Sequence, residues 1–140
     1  MKSKGFTLVE ILAVIVIIGV LAMIAIPNAA GILSKQNKRM YCTKVEDILT
    51  AAKLYGENHY NEIDRATNKS VSISVRDLIK ENLYKKEDDN CTLNSDSIPC
   101  VLDPRDKSSM DAKTITVTIK NRRAMATYDD ADYKTTCENI

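Results

Sequence analysis

The sequence predicts an α+β fold in which one long N-terminal helix packs on a small antiparallel sheet. Three observations lead to this prediction. The chain starts with an unbroken apolar run, an apolar stripe with helical spacing follows, and a strand pattern is centred on Val117. The chain has 140 residues, which corresponds to one domain by length.

The apolar run extends from Phe6 to Ile26 and carries one charged side chain, Glu10. As a helix, this run spans roughly 31 Å at about 1.5 Å per residue, which matches the hydrocarbon core of a bilayer. A carboxylate there is unfavourable by about 2.5–3.5 kcal/mol and usually has a partner or a task. If the bond after Gly5 is cut, Phe6 gains an ammonium group that can pair with a Glu10 carboxylate. The run therefore predicts a membrane-spanning helix that is processed and then assembled.

Two other interpretations of the run stay open at this point. A secretory signal peptide has a basic start and an apolar core, but that core is usually about 7–15 residues long. Small residues that resemble a signal-peptide cleavage site do follow the middle of the run, at Ala22, Ala25, Ala29 and Ala30. A plain membrane anchor is the second alternative, although it would have no need of Glu10.

The first ten residues carry a family resemblance. The residues concerned are Lys2, Lys4, Gly5, Phe6, Thr7, Leu8, Val9 and Glu10. They resemble the prepilin signature of type IV pilins and pseudopilins, which has a short basic leader, a processing glycine and a glutamate at the fifth mature position. Pro27 also falls where helices of that family have a proline, and the resemblance continues to about Asn61.

This resemblance implies a pilin-like fold with three parts: a leader at 1–5, a transmembrane and assembly helix at 6–31, and an exported globular domain at 32–140, whose helix ends at about residue 61. It implies that a prepilin peptidase cleaves between Gly5 and Phe6 and methylates the new amino group of Phe6. Glu10 of one subunit would then pair with Phe6 of a neighbour in the filament. The helix would loosen between Gly19 and Pro27, which agrees with the poor helix propensity of Gly and Pro.

The implied function is that of a structural subunit of a type IV pilus or related filament. The alternative within this class is a pseudopilin of a type II secretion or DNA-uptake (competence) system. The alternative of another class is a membrane-anchored extracellular binding domain that does not polymerise. The implied partners are further copies of the chain, minor pilins, the prepilin peptidase, a membrane platform with a cytoplasmic ATPase, and lipid before assembly.

Charge restricts both partners and topology. The 20 basic residues include Lys2 and Lys4 and the 19 acidic residues include Glu10, so the rest of the chain has 18 of each. This balance disfavours nucleic acid as the main partner. The positive-inside rule leaves orientation open, because a second basic cluster follows the apolar run at Lys35, Lys38 and Arg39. The cysteines favour export of the C-terminal domain, which leaves the leader in the cytoplasm. The resemblance implies a bacterial cell membrane location before assembly and a cell-surface pilus afterwards.

The segment from Gln36 to Asn61 is predicted to continue the first helix. An apolar and aromatic stripe with steps of three and four residues runs along it, formed by Tyr41, Val45, Ile48, Ala52, Tyr55 and His59. We expect this stripe to pack on a sheet as the core of the domain. His59, the only histidine, is interpreted as a residue at the end of this helix.

The remaining elements are short. We expect an extended piece at Ser70 to Ser74 and then a helix capped by Ser74 and Asp77, with Leu78, Ile79 and Leu83 on its buried side. The clearest strand is Lys113 to Asn121, where Ile115, Val117 and Ile119 alternate with polar residues. A turn at residues 121–123 leads to a weaker strand through Met125 to Tyr128, and Ile98 to Leu102 is predicted as another strand.

Four cysteines, an even number, predict two disulfides in an exported domain: Cys42, Cys91, Cys100 and Cys137. The sequence does not choose among the three possible pairings.

Zinc is disfavoured because the chain has no C-x-x-C pair and one histidine. The acidic run of Asp129, Asp130 and Asp132 is a calcium candidate, but its spacing differs from an EF-hand loop and favours a solvated turn. No catalytic motif or cofactor-binding motif is recognisable, so we expect neither an enzyme nor a cofactor.

Overall fold

The computed structural model describes Gly5 and residues 7–139, without the side chains of residues 27 and 28. The chain divides into two compact units, Met1–Gln36 and Asn37–Ile140. One helix, α1 (Leu8–Asn58), contributes to both. Four short elements follow in the order α2 (Tyr60–Arg65), β1 (Ser70–Ser74), α3 (Val75–Lys80) and β2 (Thr114–Lys120), and the chain continues with β3 (Arg123–Tyr128) and α4 (Ala131–Cys137). The predicted α+β class is therefore confirmed.

The described strands form one antiparallel sheet in the order β1-β2-β3. Ile115 of β2 is paired with Ile73 of β1 and with Tyr128 of β3. Because side chains alternate between the two faces of a strand, this register brings the apolar residues of the three strands to one face, except for the exposed Met125. The alternation in β2 predicted from the sequence is confirmed, since Ile115, Val117 and Ile119 are buried.

The second part of α1 supplies the helical side of the core. Tyr41, Val45, Ile48 and Ala52 are buried, as their spacing predicts. A Cβ atom on Gly56 would lie 2.6 Å from the Ala124 Cβ and 2.7 Å from a Val117 methyl carbon. The helix therefore approaches β2 and β3 so closely at Gly56 that only a glycine fits without movement of a neighbour.

The end of α1 differs from the prediction. The helix ends at Asn58, three residues before the predicted end, because His59 has φ −109° and ψ 23° and leaves the helical conformation. A separate helix, α2, begins at Tyr60 and buries Ile63. His59 does lie at this helix end: its Nδ1 atom is 3.0 Å from the Tyr55 carbonyl oxygen, and its Nε2 atom is 3.4 Å from a Glu81 carboxylate oxygen.

The short helix α3 begins where the sequence predicts. The Asp77 amide donates to the Ser74 hydroxyl, and the Ser74 amide donates to the Asp77 carboxylate, which forms a capping box. The predicted turn between β2 and β3 is also present. Asn121 and Arg122 have φ values of 53° and 62°, as a tight hairpin turn of this kind requires.

The prediction of a strand at Ile98 to Leu102 is wrong. Leu102 forms one isolated bridge with Ser109, and residues 98–101 belong to no strand of the described chain. The backbone amides of Cys100 and Val101 donate instead to the carboxylate of Asp111, at 2.8 Å for the shortest contact of each. Asp111 is buried and eleven residues further along the chain than Cys100, so a local sequence pattern gives no sign of this competition.

Candidate assembly and processing site

Of the predicted assembly residues, Glu10 lies at the start of α1. Leu8 begins the helix, and the Thr7 carbonyl accepts hydrogen bonds from the Glu10 and Ile11 amides at 3.0 and 3.3 Å. The Thr7 hydroxyl also accepts from the Glu10 amide at 3.3 Å. Thr7 therefore satisfies amide groups that the first helical turn would otherwise leave without partners.

Glu10 lies in the first turn of α1, and its side chain is exposed. It forms no ion pair with any residue for which the structure gives a position. A carboxylate in the first turn is favoured by the positive end of the helix dipole. An unpaired carboxylate is unfavourable in lipid, and such residues commonly have a cationic partner.

The apolar part of α1 extends from Leu8 to Ile26, with a mean hydropathy of 3.0 and none of it buried. By length and composition these 19 residues are sufficient to cross a membrane. Their large apolar side chains, such as Ile17 at 59% exposure, have no partner within the described chain. Exposure of so much contiguous apolar surface indicates that lipid or another protein chain covers it.

Of the other predicted residues in this part, Gly5 is exposed, and no described atom lies within 4 Å of the position of an added Cβ. The same holds for Gly19, which lies inside α1. The helix continues through Pro27, where the missing amide proton leaves the Met23 carbonyl without its usual helical donor. Phe6 and the leader residues Lys2 and Lys4 lie outside the described residues.

The four predicted disulfide cysteines are paired as Cys42 with Cys137 and Cys91 with Cys100. The prediction of disulfides is confirmed, and the structure selects one of the three pairings that the sequence left open. Cys91–Cys100 closes a local loop, whereas Cys42–Cys137 connects α1 to α4 across 95 positions of sequence. Helix α4 itself was missed by the sequence analysis, although Asp130 at its N-cap is a signal that could have revealed it.

The three aspartates considered for calcium have protein partners. Asp129 accepts a hydrogen bond from the Thr116 hydroxyl, and Asp132 forms an ion pair with Arg105 at 2.7 Å. Asp130 caps α4 and lies 2.7 Å from the Lys113 ammonium group, whose hydrogen bond lowers the pKa of the Asp130 carboxyl group. Within Gly5 and residues 7–139, no group of three or more acidic, cysteine or histidine side chains is placed to hold a metal ion.

A partly buried polar cluster connects α1 to this C-terminal region. The Arg105 guanidinium lies 3.5 Å from the centroid of the Tyr41 ring and is bonded to the carboxylates of Asp103 and Asp132. The hydrogen bonds that Arg105 donates to the Asp103 carboxylate raise the pKa of Arg105, so the cation is present at every physiological pH. Burial raises the pKa of Tyr41 to about 12, against the opposing effect of Arg105. All of these residues belong to the unit Asn37–Ile140.

Comparison with known protein families gives one match, at the start of the chain. Residues 1–26 match the family described as the prokaryotic N-terminal methylation motif. The match contains the predicted processing site at Gly5 and Phe6 and the carboxylate of Glu10. No solved structure matches the chain.

Relatives of two kinds are similar to part of the chain. The type II secretion system core protein G of Escherichia coli (strain K12) is 42% identical over 88 residues, which cover 61% of this chain and 60% of that protein. The type IV major pilin protein PilA of Myxococcus xanthus (strain DK1622) is 36% identical over 64 residues, which cover 46% of this chain and 27% of that protein.

A second core protein G, from Pectobacterium carotovorum subsp. carotovorum, is 37% identical over 54 residues, or 35% of its length. The chain thus spans 60% or less of the length of each of these relatives. The predicted resemblance to type IV pilins and pseudopilins is confirmed.

Proposed function

We propose that this chain is a structural subunit of a type IV pilus or a related filament, processed at its N-terminus and assembled through α1. The observation that carries the proposal is the exposed apolar segment of α1 with Glu10 as its single charged group. Lipid covers such a segment before assembly, and neighbouring copies of the same segment cover it in a filament. The proposed role is structural, and the chain itself catalyses no reaction in it.

Processing at Gly5 supplies the second half of the proposal. A prepilin peptidase would cleave the Gly5–Phe6 bond, remove the leader at 1–5 and methylate the Phe6 amine. The exposure of Gly5 and the open space around it support access by a protease. The match of residues 1–26 to an N-terminal methylation motif supports the modification of the new terminus.

The new ammonium group provides the cation that Glu10 lacks. Pairing between Glu10 of an incoming subunit and Phe6 of a subunit already in the filament removes two isolated charges from an apolar environment. Because loss of one partner leaves the other charge buried and unpaired, the contact strongly disfavours incorrect registers between subunits. Glu10 would therefore determine the position at which each new subunit is added.

The segment between Gly19 and Pro27 is proposed to loosen during assembly. Gly and Pro are about 1 and 3 kcal/mol less favourable than Ala in a helix interior. The Met23 carbonyl already lacks its helical amide donor because of Pro27. Local opening of α1 is therefore least unfavourable in this segment, and it would let residues 6–31 adapt to the neighbours in a filament.

Topology and the remaining partners follow from the same proposal. The leader would lie in the cytoplasm and the region 32–140 outside the membrane, where the two disulfides are stable. The filament consists of further copies of this chain with minor pilins, and a membrane platform with a cytoplasmic ATPase drives its extrusion. Lys35, Lys38 and Arg39 are exposed on α1 and are available for acidic groups of a neighbouring subunit.

The second candidate within the same class is a pseudopilin of a type II secretion system. Its support is the 42% identity to the Escherichia coli core protein G, which exceeds the identity to the Myxococcus xanthus pilin. A DNA-uptake pseudopilus has no such specific support. A membrane-anchored binding domain that does not polymerise would leave the position of Glu10 without a purpose.

Substitution of Glu10 tests the proposal directly. Glu10→Ala should abolish incorporation into sheared filaments, whereas the amount of the chain in the membrane fraction should stay unchanged. Asp47→Ala is the matched control, because Asp47 is also an exposed acidic residue of α1 but lies outside the apolar segment. Normal assembly of the Glu10 variant would rule out the pairing mechanism, and equal loss of assembly in both variants would mean that the effect is not specific to Glu10.

A further inference from the structure

The two disulfides differ in their contact with solvent. Cys91 and Cys100 are 5% and 0% exposed, so their disulfide lies in the core of the domain. Cys42 and Cys137 are both half-buried, and their disulfide lies at the surface between α1 and α4. Thiol–disulfide exchange requires direct approach of a thiolate to a sulfur atom, so only Cys42–Cys137 is accessible in the folded chain.

A surface groove of about 430 Å³ provides the approach. Both sulfur-bearing residues, Cys42 and Cys137, line it, together with the charged residues Arg39, Glu46 and Glu138. The volume accommodates a small thiol or the cysteine side chain of a partner peptide. The Arg39 guanidinium can stabilise a thiolate that forms in the groove, because a nearby cation lowers the pKa of a thiol.

Helix α4 is a short surface element, and the Cys42–Cys137 disulfide is its covalent connection to α1. It contains seven residues, and none of them is fully buried. Its other contacts with the domain include the Arg105–Asp132 ion pair, a hydrogen bond from Arg105 to the Thr136 hydroxyl at 3.5 Å, and packing of the half-buried Tyr133 against the core, with its ring edge-to-face to Tyr128 at 5.7 Å. A helix of this length is not stable alone in water, so loss of the covalent connection would leave α4 weakly held.

We propose that the groove is a thiol–disulfide exchange site at which an exported dithiol opens Cys42–Cys137 and releases α4, while Cys91–Cys100 and the sheet remain intact. A thiolate of the dithiol attacks one sulfur, the S–S bond breaks, a mixed disulfide forms, and the other cysteine leaves as a thiolate that takes a proton from water. The second thiol of the dithiol then attacks the mixed disulfide. The dithiol ends oxidised as a disulfide, and Cys42 and Cys137 end as two thiols.

The charges of the groove select the kind of thiol. Glu46 and Glu138 outnumber Arg39, so the groove carries one net negative charge. A cationic or neutral thiol is therefore favoured over an anionic one, and salt reduces the difference. The proposal concerns the folded domain alone and holds whether or not the chain assembles into a filament.

The first test measures which disulfide is reduced. The full chain in nonionic detergent is treated with increasing concentrations of dithiothreitol without denaturant, quenched with iodoacetamide and mapped by mass spectrometry. We expect alkylation of Cys42 and Cys137 at concentrations that leave Cys91 and Cys100 unmodified. Simultaneous reduction of both pairs, reduction of Cys91–Cys100 first, or no reduction short of denaturation would each overturn the proposal.

The second test measures charge selection with two thiols of similar size, cysteamine and 3-mercaptopropionate. For each thiol, the second-order rate constant for reduction of Cys42–Cys137 is calculated from the thiolate concentration. It is then divided by the rate constant of the same thiol with the uncharged 2-hydroxyethyl disulfide, which removes differences in intrinsic nucleophilicity between the two thiols. We expect cysteamine to react several-fold faster and the ratio to fall in the Glu46→Gln and Glu138→Gln double variant. Glu62→Gln, at an exposed position that does not line the groove, is the control and should keep the ratio. An unchanged ratio in the double variant would contradict the assigned groove.

The third test measures the release of α4. Hydrogen exchange is compared among the oxidised chain, the selectively reduced chain and the Cys42→Ser and Cys137→Ser double variant. Faster exchange should be confined to residues 131–139 in both altered forms. Acceleration that extends through β2 and β3 would show that the disulfide supports the whole domain, and unchanged exchange at 131–139 would show that α4 is held without it.

Discussion

The two parts of α1 have the same secondary structure and opposite surroundings. In Met1–Gln36, Ile17 is 59% exposed and no residue of the apolar segment is buried. In Asn37–Ile140, Ile48 of the same helix is fully buried against other elements of its unit. The buried stripe of the second part is therefore covered within its own unit, whereas the apolar segment of the first part is exposed. The comparison separates the residues of α1 that stabilise the domain from those that the proposed assembly would use.

The largest expected difference in stability is between two substitutions, one in each part of α1. Ile48→Ala removes three carbon atoms from the core and should lower the free energy of unfolding of the domain by about 2–5 kcal/mol. Ile17→Ala should leave that free energy unchanged, because Ile17 has no described packing partner. Denaturant titration of the full chain in detergent, followed by circular dichroism, measures both. Similar losses in the two variants would break the comparison.

The second prediction compares the stability of alanine variants at two glycines of α1. Gly56→Ala introduces a Cβ at 2.6 Å from the Ala124 Cβ and should destabilise the domain by about 1–3 kcal/mol, less the gain in helix propensity. Gly31→Ala introduces a Cβ with no described atom within 4 Å and should only increase helix propensity. Thermal denaturation of both variants tests this. An unchanged or higher melting temperature for Gly56→Ala would mean that α1 does not pack tightly on β2 and β3.

The smallest expected effect is a pH dependence of the stability that Tyr41 causes, in the buried part of α1. Burial raises the pKa of Tyr41 to about 12 from an ordinary value of 10, so the neutral phenol favours the folded state. This contribution is complete below pH 10 and is lost as the pH rises towards 12, by roughly 1 kcal/mol at pH 11. Tyr41→Phe should lose less stability between pH 9 and 11 than the unaltered chain. A parallel loss in both proteins would exclude Tyr41 as the cause.

Tyr41→Phe is also informative at neutral pH. The Tyr41 hydroxyl is buried and has no hydrogen-bond partner among the described residues. Its removal should therefore be nearly neutral or slightly stabilising there, in contrast to substitutions that remove a satisfied group. The cation–π contact with Arg105 remains available to a phenylalanine ring.

The parts of this fold that depend on local patterns were predictable from the sequence. The apolar segment, the buried stripe from Tyr41 to Ala52, the Ser74 capping box and the alternation in β2 all follow from spacing along one element. The strand predicted at Ile98 to Leu102 failed because the Cys100 and Val101 amides bind the distant Asp111 carboxylate. The disulfide pairing depends equally on distant contacts, so spacing alone could not select it.

For the candidate assembly site, the sequence predicts the residues but not their contacts in a filament. Sequence alone shows that Glu10 is the single charged residue of the apolar run and predicts a processing junction at Gly5–Phe6, because both depend on residue type and order. The partner of Glu10 belongs, in the proposed assembly, to another molecule. The sequence of one chain therefore predicts that Glu10 pairs with a cation, but it does not give the geometry of that contact between two molecules.

The most direct measurement of the central claim is mass spectrometry of the N-terminus of the native protein, isolated both from membranes and from sheared filaments. The account predicts that the filament fraction begins at Phe6, with one methyl group on its amine and Glu10 unmodified. A chain that still begins at Met1 in cells with an active prepilin peptidase, and that stays in the membrane fraction, would contradict it.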